Sequence, residues 1–306
     1  MDVLEIRNLN KRFGEQSVIQ NLSFTVAQNS IFGFLGQNGA GKTTTMKMIL
    51  GLLKADSGEI RVCGEKVEYG QNKTNRYIGY LPDVPEYYGY MSPLEYLKFC
   101  GKITGMTREE VLKRRDDLIE MVGLGESRKK RIGGFSRGMK QRLGIAQGLL
   151  NSPKLLICDE PTSALDPIGR SEILNLLSTV SCKTTILFST HILSDVEKIC
   201  NEIAVLHNGG IVLSGPINKI KSEHKTNLVK IKFSCEQDME GFLGLWDTQK
   251  YKCEVDKEQG YVILHGSDQR KIVQNLIEIL YQSGIVPNGI DCLEPSLDNL
   301  FWEVVR

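Results

Sequence analysis

The sequence predicts an α/β protein with a mostly parallel sheet, followed by a smaller α+β domain. Short apolar strands alternate with helical patterns up to about residue 215, which is typical of parallel sheets covered by helices. Between about 90 and 150 only helical patterns occur. The length of 306 residues exceeds the usual size of one domain. We therefore predict a sheet domain over 1–215 with an inserted helical subdomain at about 90–150, and a second domain over 216–306.

The composition is that of an ordinary globular protein. Hydrophobic residues make up 41% and charged residues 25%, and the formal net charge is +1, so neither nucleic acid nor anionic lipid is favoured as a partner. The eight cysteines are scattered without a C-x-x-C pair, which favours reduced thiols in a cytosolic protein. The N-terminus lacks an apolar signal region, and no run approaches the roughly 18 apolar residues of a membrane helix. We expect a chain that does not cross a membrane by itself.

Short apolar runs mark the strands of the first domain. The candidates are Val3–Arg7, Ile31–Leu35, Ile60–Cys63, Tyr77–Tyr80, Leu155–Cys158, Thr184–Ser189 and Ile203–Leu206. The last strand is predicted to turn back at Asn208 in the hairpin sequence NGG. In the helical subdomain, Ser92 before Pro93 predicts a helix start, and the segment from Thr107 to Glu110 predicts a capping box.

The second domain has an order of elements typical of one small fold. Strand, helix, strand, strand, helix and strand are predicted at 228–234, 239–245, 251–255, 261–265, 269–283 and 289–293. A last helix capped by Ser296 follows. The order βαββαβ predicts a ferredoxin-like domain. Because it has no basic cluster, an RNA-binding module is disfavoured.

A glycine-rich loop follows the strand Ile31–Leu35 and precedes a helix predicted at 44–53. The segment GQNGAGKT matches the pattern G-x-x-x-x-G-K-[ST], in which backbone N–H groups surround phosphates at a helix N-terminus. Lys42 is expected to reach the β and γ phosphates, and Thr43 to ligate Mg²⁺. A glycine-rich turn without a ligand is the alternative. The residues predicted to bind ATP are Gly36, Gln37, Asn38, Gly39, Ala40, Gly41, Lys42, Thr43 and Thr44.

Two carboxylates and a histidine follow other apolar strands. Asp159 and Glu160 end the run Leu155–Cys158, and His191 follows the next strand. Ligands of open α/β sheets bind beyond the carboxyl ends of the strands, so these residues should face the phosphate loop. Asp159 is then expected to hold Mg²⁺, Glu160 to orient or deprotonate the attacking water, and His191 to donate to a γ-phosphate oxygen. The alternatives are a carboxylate pair that caps a turn and a structural histidine.

Together, these motifs resemble those of the nucleotide-binding subunit of an ABC transporter, over residues 1 to about 220. GQNGAGKTT is similar to the Walker A segment, and LLICDEP to Walker B with Glu160 as catalytic glutamate. SALD resembles the D-loop, ending at Asp166, and His191 stands at the switch histidine. Phe13 stands where the family stacks an aromatic ring on adenine, and core packing is the alternative.

A second phosphate-type motif, FSRGM, falls on the ABC signature, usually written LSGGQ. In that family two subunits enclose two ATP molecules, each between the Walker A loop of one subunit and the signature helix of the other. The resemblance implies that Ser136, Arg137, Gly138 and Met139 contact the ATP of a second subunit, either identical or a paralogue. Arg137 adds charge near those phosphates or is simply solvated. The form S-x-G-M-x-Q-R resembles exporters that have separate membrane subunits.

Asp83 occupies the position where the family's Q-loop usually carries glutamine. It keeps an oxygen for Mg²⁺ or water but adds a charge, so its role toward the metal stays open. The segment that follows carries Tyr87, Tyr88 and Tyr90, where the family receives the coupling helices of an integral membrane permease; ordinary packing is the alternative. The resemblance implies a cytoplasmic exporter subunit, peripheral on the inner face of the cell membrane through its permease.

Two other functions compete with an ATPase that drives transport. A soluble ABC ATPase acting on ribosomes or DNA usually has two cassettes or a long coiled-coil insertion, whereas this sequence has one cassette and no heptads. A P-loop kinase or small GTPase leaves the signature, the D-loop and His191 unexplained. We therefore predict an ATPase that uses ATP and Mg²⁺, dimerises, drives a permease and binds no nucleic acid. The ending EPSLDNLFWEVVR is similar to accessory domains of exporters, which implies dimerisation or regulation, with stabilisation of the core as the alternative.

Overall fold

The computed structural model describes residues 2–223, 228–246, 252–266, 268–293, 297, 300 and 301. The chain divides into two compact units, the first running to Ile217 and the second covering Asn218–Leu300. Ser296, predicted to cap a last helix, and Tyr251, predicted to begin a strand, lie outside the described residues. Across the described ranges, no helix has the length and apolar character needed to span a membrane.

Strands and helices alternate through the first unit. Its strands are β1 (Asp2–Phe13), β2 (Gln16–Ala27), β3 (Ile31–Leu35), β4 (Ser57–Val62), β5 (Glu65–Lys66), β6 (Ile78–Leu81), β7 (Leu155–Asp159), β8 (Thr185–Thr190), β9 (Glu202–His207) and β10 (Gly210–Pro216). Its α-helices are α1 (Lys42–Ile49), α2 (Pro93–Ile103), α3 (Arg108–Met121), α4 (Arg137–Leu149), α5 (Pro167–Ser181) and α6 (Leu193–Ile199), and α7 (Ile217–Glu223) begins where this unit ends. This alternation is the α/β architecture that the sequence predicts.

The larger sheet of the first unit has the strand order β10-β9-β3-β8-β7-β6. Strands β9, β3, β8, β7 and β6 run parallel, and β10 is antiparallel to β9. Strands β3, β7 and β8 are buried along their whole length, as expected for a parallel sheet covered on both faces. The mostly parallel sheet is therefore confirmed, and so is the hairpin at Asn208, because β9 and β10 pair directly across it.

A second, antiparallel sheet of order β2-β1-β4-β5 contains the N-terminal strands. The sequence pattern misses β2 and predicts only part of β1. The physical reason is that the β1–β2 register shifts between Ile6 and Leu9 and again between Leu9 and Lys11. At these irregularities Asn8 and Asn21 have positive φ values of 49° and 48°. Bulges of this kind interrupt the period of two by which a strand is recognised.

The helical subdomain between β6 and β7 consists of α2, α3 and α4. The helix start predicted at Ser92 and the capping box predicted at Thr107 are both present: Thr107 exchanges hydrogen bonds with Glu110, and Ser92 forms a capping box of its own with Glu95. These bonds satisfy backbone N–H groups that lack a partner inside the helix. Capping therefore explains where α2 and α3 begin.

Helix α4 begins at Arg137, within the segment FSRGM. Ser136 caps it, because the N–H of Met139 donates to Ser136 Oγ at 3.3 Å. Toward its other end the helix backbone lies directly on β6, since a Cβ added at Gly79 would overlap the carbonyl oxygen of Gly148. This close approach fixes the C-terminal half of α4 on the parallel sheet.

Helix α1 is shorter at its C-terminal end than the sequence pattern predicts. It begins at Lys42, two residues before the predicted start, and ends at Ile49 rather than at Leu53. Gly51 has a φ of +68°, the left-handed conformation that ends many helices. The apolar residues beyond Gly51 therefore continue the helical spacing without continuing the helix.

The second unit is built around a four-stranded antiparallel sheet of order β12-β13-β11-β14. Its elements are β11 (Leu228–Lys232), α8 (Glu236–Leu245), β12 (Cys253–Asp256), β13 (Tyr261–His265), α9 (Gln269–Ser283) and β14 (Gly289–Leu293). Both helices and the two central strands supply the core, which includes Val229, Phe242, Val262 and Leu276. The element order and the strand order together are those of the predicted ferredoxin-like fold.

Candidate active site

The phosphate loop runs from the end of β3 to the first residue of α1. Because β3 is buried throughout, the sheet fixes where the loop starts. Gly41 has a φ of +108°, and a Cβ there would overlap the side chain of Ile19, so only glycine fits this turn. The N–H groups that open α1 have no acceptor inside the helix. This end of the helix is therefore suited to an anion.

Lys42 is buried within the loop. Its Nζ donates hydrogen bonds to the carbonyl oxygens of Gly36, at 2.6 Å, and of Gln37, at 3.3 Å. The same Nζ lies 3.3 Å from Glu160 Oε1. The ammonium group is thus surrounded by oxygens, and phosphate oxygens can replace the two carbonyls without leaving a buried donor unpaired.

Thr43 and Asp159 bring a hydroxyl and a carboxylate together at the end of β7. Thr43 Oγ1 donates to Asp159 Oδ2 at 2.8 Å, and Ser189 Oγ donates to Asp159 Oδ1 at 3.1 Å. Burial raises the pKa of the Asp159 carboxyl, whereas the two hydrogen bonds act in the opposite direction. Oxygen ligands of this kind suit Mg²⁺, which usually adds phosphate oxygens and water. The described residues form no cluster of three or more His, Cys, Asp or Glu that would hold a metal ion without such additions.

Glu160 and His191 meet beside the phosphate loop. His191 Nδ1 lies 2.9 Å from Glu160 Oε2. Glu160 is buried and has a φ of +49°, a left-handed conformation that is rarely adopted by residues other than glycine. The N–H of Glu160 donates to the carbonyl oxygen of Ser189 at 2.9 Å, which ties this turn to β8. Backbone outliers of this kind cluster at active sites, where the surrounding structure holds them.

Several of the predicted site residues line one pocket of about 240 Å³. It is lined by Gln37, Asn38, Gly39, Gly41, Lys42, Thr43, Thr44, Asp83, Asp159 and Glu160. The structure thus brings together most of the Walker A segment, both Walker B carboxylates and the Q-loop position. The predicted site residues outside this lining are Phe13, Gly36, Ala40, Ser136, Arg137, Gly138, Met139, Asp166 and His191. A larger cleft of about 1130 Å³ beside α2 and α3 contains none of the predicted site residues.

A groove of about 410 Å³ lies on another side of the phosphate loop, between the start of β2 and the β9–β10 turn. Gln16 and Asn38 are among its lining residues. Phe13 pairs with Gln16 across the β1–β2 turn and is 49% exposed. The nitrogen Nζ of Lys11 lies 5.2 Å from the centre of the Phe13 ring, within range of a cation–π contact. Phe13 is therefore not a core residue, which removes the alternative explanation for it.

The signature residues stand at the N-terminus of α4. Ser136 and Arg137 are exposed, and a Cβ added at Gly138 would meet nothing nearer than Leu165, at 3.9 Å. Arg137 Nη2 donates to Asp83 Oδ1 at 3.2 Å. The surface around Ser136 and Gly138 is open, whereas Arg137 contacts the pocket of its own chain through Asp83.

Gln141 contributes to the site although it is not among the predicted site residues; in sequence it is the glutamine of the form S-x-G-M-x-Q-R. It is fully buried on α4, and its Nε2 donates to the carbonyl oxygen of Asp83 at 2.8 Å. A fully buried amide on a helix face that is otherwise apolar was the available signal, because buried polar side chains need partners.

Asp195 is a second such residue. It is fully buried near the start of α6, and its two carboxylate oxygens accept from Thr162 Oγ1 at 2.7 Å and from Arg170 Nε at 2.6 Å. It therefore connects the turn after Glu160 to the helix that follows the D-loop. Asp166 itself is exposed at the N-cap of α5 and makes no capping hydrogen bond through its side chain.

The order and placement of these motifs are shared with known proteins. The family model of the ABC transporters matches residues 19–163. The ABC transporter ATP-binding protein YxlF of Bacillus subtilis, itself uncharacterized, is 42% identical over 241 residues, which are 79% of this chain and 79% of YxlF. The chain belongs to the ABC transporter ATP-binding proteins. The predicted family is thereby confirmed.

Other ABC proteins extend the likeness. The bacitracin transport ATP-binding protein BcrA of Bacillus licheniformis is 34% identical over 99% of this ABC protein and 97% of its own length, so the match includes the second unit. A solved structure of the ATP binding subunit of an ABC transporter has a TM-score of 0.65 and 31% identity, covering 72% of this chain and 92% of the other. The predicted cassette fold is thus confirmed. As an ABC ATPase, the protein binds and hydrolyses ATP.

Proposed function

We propose that this ABC protein powers an exporter, in which two ATPase subunits close over two MgATP molecules and drive a membrane permease. Relatives named for resistance or export support the direction, namely the linearmycin resistance protein LnrL of Bacillus subtilis and a Nod factor export protein of Ralstonia nicotianae, and the bacitracin transport protein BcrA supports transport. The observation that carries the dimer is the exclusion of Ser136 and Gly138 from the pocket of their own chain. The phosphate contacts of the signature helix are then left to a second subunit.

Within one subunit, the residues around the pocket divide the work of hydrolysis. Lys42 would turn from the loop carbonyls to the β and γ phosphates, and Thr43 with Asp159 would hold Mg²⁺, which would neutralise phosphate charge. Glu160 orients or deprotonates the attacking water. His191, whose Nδ1 is 2.9 Å from Glu160 Oε2, holds that carboxylate in position and donates to a γ-phosphate oxygen.

The second subunit supplies the signature helix. The N-terminus of α4 favours an anion by about 0.3–2 kcal/mol. That free energy is too small to hold ATP alone. It is enough to favour contact with a site that already holds a γ-phosphate over contact with a site that lacks one. The open space beside Gly138, where the nearest atom to an added Cβ is 3.9 Å away, leaves room for a phosphate. Closure of the dimer then depends on ATP rather than ADP.

We propose that the permease docks in an aromatic groove of about 520 Å³ beside α2. Tyr88 and Phe99 line it with ring centroids 5.6 Å apart, and Tyr90 packs on Tyr88 while remaining 65% exposed. Tyr87 differs, because its hydroxyl donates to the carbonyl oxygen of Lys140 at 2.7 Å and burial raises its pKa. Exposed aromatic side chains are enriched at protein contacts. Docking in this groove would hold the subunit at the inner face of the cell membrane, in the cytoplasm.

The proposed ATP-dependent dimerisation is tested with the substitution Glu160→Gln. This variant should bind MgATP but hydrolyse it very slowly. At saturating MgATP, light scattering should report about twice the 34.3 kDa of one chain. Glu68→Gln, on the exposed surface, is the matched control and should remain monomeric at steady state. A Glu160→Gln protein that binds ATP yet stays monomeric would contradict the proposed sandwich.

The permease is tested by co-expression with a membrane protein encoded beside this chain. A six-helix membrane protein should co-purify with the unmodified ATPase and be lost with the double substitution Tyr88→Ala and Tyr90→Ala. Tyr69→Ala, an exposed tyrosine elsewhere in the first unit, is the control. Co-purification that survives loss of both tyrosines would place the docking surface elsewhere.

A further inference from the structure

One ion pair joins the nucleotide pocket to the signature helix within a single chain. Arg137 Nη2 lies 3.2 Å from Asp83 Oδ1, and the two side chains are 39% and 47% exposed. Asp83 lines the pocket beside the phosphate loop, whereas Arg137 is the first residue of α4 and lies outside that lining. An arginine assigned to the ATP of a second subunit is therefore held by a carboxylate of its own pocket.

A second contact between the same segments is buried. Gln141 follows Arg137 by four residues on α4 and so lies on the same face of the helix. Its Nε2 donates to the carbonyl oxygen of Asp83 at 2.8 Å, while its Oε1 is buried and accepts no hydrogen bond from the described residues. The main chain of Asp83 is therefore anchored on α4 independently of its side chain. The ion pair can open without releasing the segment.

The charges around the pocket make this ion pair sensitive to nucleotide. The ionisable lining residues are Lys42 and the carboxylates of Asp83, Asp159 and Glu160. MgATP in the chain's own pocket brings a divalent cation, which attracts Asp83, and MgATP bound by a second subunit brings phosphates, which attract Arg137. Each partner of the ion pair thus has an alternative partner of opposite charge in the proposed dimer.

We propose that Asp83 and Arg137 form a latch within each subunit. In the nucleotide-free chain Asp83 holds Arg137 away from the ATP site of a second subunit, and MgATP in the chain's own pocket releases it. This inference rests on the proposed dimer. Asp83 is then a positioning residue that acts through Arg137, and each subunit becomes competent to close only when its own pocket is filled.

The test measures the ATP concentration at half-maximal dimerisation, in the Glu160→Gln parent so that hydrolysis does not interfere. Asp83→Asn should lower this midpoint by about two- to fivefold, the range that corresponds to exposed ion pairs. Arg137→Gln should raise it by about tenfold or more, because a charge-assisted contact to phosphate is lost. A merely structural ion pair would shift both variants in the same direction or leave both unchanged, and either result overturns the latch.

Two further variants keep the test specific. Glu172→Gln removes the carboxylate that pairs with Arg142, which is also on α4 but outside the pocket, and it should leave the midpoint unchanged. Arg137→Lys keeps the charge and should restore dimerisation close to the parent midpoint; failure to do so would overturn the electrostatic role of Arg137.

If the parent binds MgATP without dimerising, the proposed function fails and the latch with it. If the parent dimerises and Asp83→Asn does not lower its midpoint, the latch alone is wrong.

Discussion

The phosphate-loop side and the signature side of the proposed ATP site differ in how far one chain completes them. On the phosphate-loop side, Lys42, Asp159 and Glu160 are buried, and each contacts another residue of the pocket. On the signature side, Ser136 and Arg137 are exposed and the space beside them is open. A single subunit therefore pre-organises the phosphate-loop side, whereas in the proposed dimer the closing contacts come from a second subunit.

This difference predicts which measurements a substitution will change. Buried charges cost desolvation free energy that their partners must offset, so removing one partner disturbs the chain itself. The exposed residues of the signature do not incur this desolvation cost. Substitutions on the phosphate-loop side should therefore alter ATP binding, turnover or stability of one subunit, and those on the signature side should alter closure.

The largest effect is expected for Glu160→Gln. The amide keeps the shape of the side chain but cannot accept a proton from water, so kcat should fall by about 10²–10⁴-fold. The affinity for MgATP should be retained. Phosphate release measures kcat, calorimetry measures binding, and Glu68→Gln is the control. Turnover close to the unmodified rate would show that another group activates the water.

Lys42→Ala should weaken ATP binding by about 10- to 100-fold, because charge-assisted hydrogen bonds to phosphate are lost. It should also destabilise the nucleotide-free subunit, since the buried carboxylate of Glu160 loses the cation 3.3 Å away. Calorimetry gives the Kd and thermal unfolding gives the Tm. Lys47→Ala, an exposed lysine of the same helix, should change neither. An unchanged Kd for Lys42→Ala would argue against the assigned phosphate contact.

Asp195→Asn should lower the free energy of unfolding by about 2 kcal/mol. The amide cannot accept from both Thr162 and Arg170, so one buried or partly buried donor is left without its acceptor. Urea unfolding followed by circular dichroism measures the loss, and the exposed Asp117→Asn is the control. A midpoint equal to that of the unmodified protein would show that this network does not support the phosphate-loop side.

Ser136→Ala should have the smallest effect. It removes the cap of α4, which contributes about 1 kcal/mol to stability, and it weakens the anion site for the second subunit. ATP turnover at high protein concentration should fall, whereas the Kd for ATP measured at low protein concentration should not change. A change in that Kd would show that the signature side also affects ATP binding by a single subunit, contrary to the distinction between the two sides.

The sequence predicts those parts of the fold whose side-chain pattern is unbroken. Strands β3, β7 and β8 are continuous buried runs, and in the second unit β11 pairs with β13 and β14 without a register shift. Strand β2 is missed because its pairing with β1 shifts repeatedly. The role of the second unit in dimerisation or regulation, rather than in stabilising the core, stays a prediction.

The site divides in the same way. The phosphate loop is one contiguous segment, and the Walker B carboxylates are neighbours in another, so the chemistry of each can be predicted directly. Contacts between distant segments cannot be predicted in this way. Arg137 contacts Asp83, 54 residues away, and Asp195 contacts Thr162, 33 residues away. Each depends on how a helix docks on the sheet, which no local pattern specifies.

The contact between Gly79 and Gly148 lies near the C-terminal end of α4, at the opposite end of the helix from the signature residues. Their backbones touch with no side chain between them, so this end of α4 cannot move away from the sheet without opening a gap. Arg137 lies eleven residues from Gly148, or about 16 Å along the helix. A tilt of about 5° at the glycine contact would therefore swing Arg137 by about 1.4 Å, because the rise per residue sets the length of the lever arm. A small change of angle at the glycine contact would thus become a displacement of more than an ångström at the exposed end of the helix.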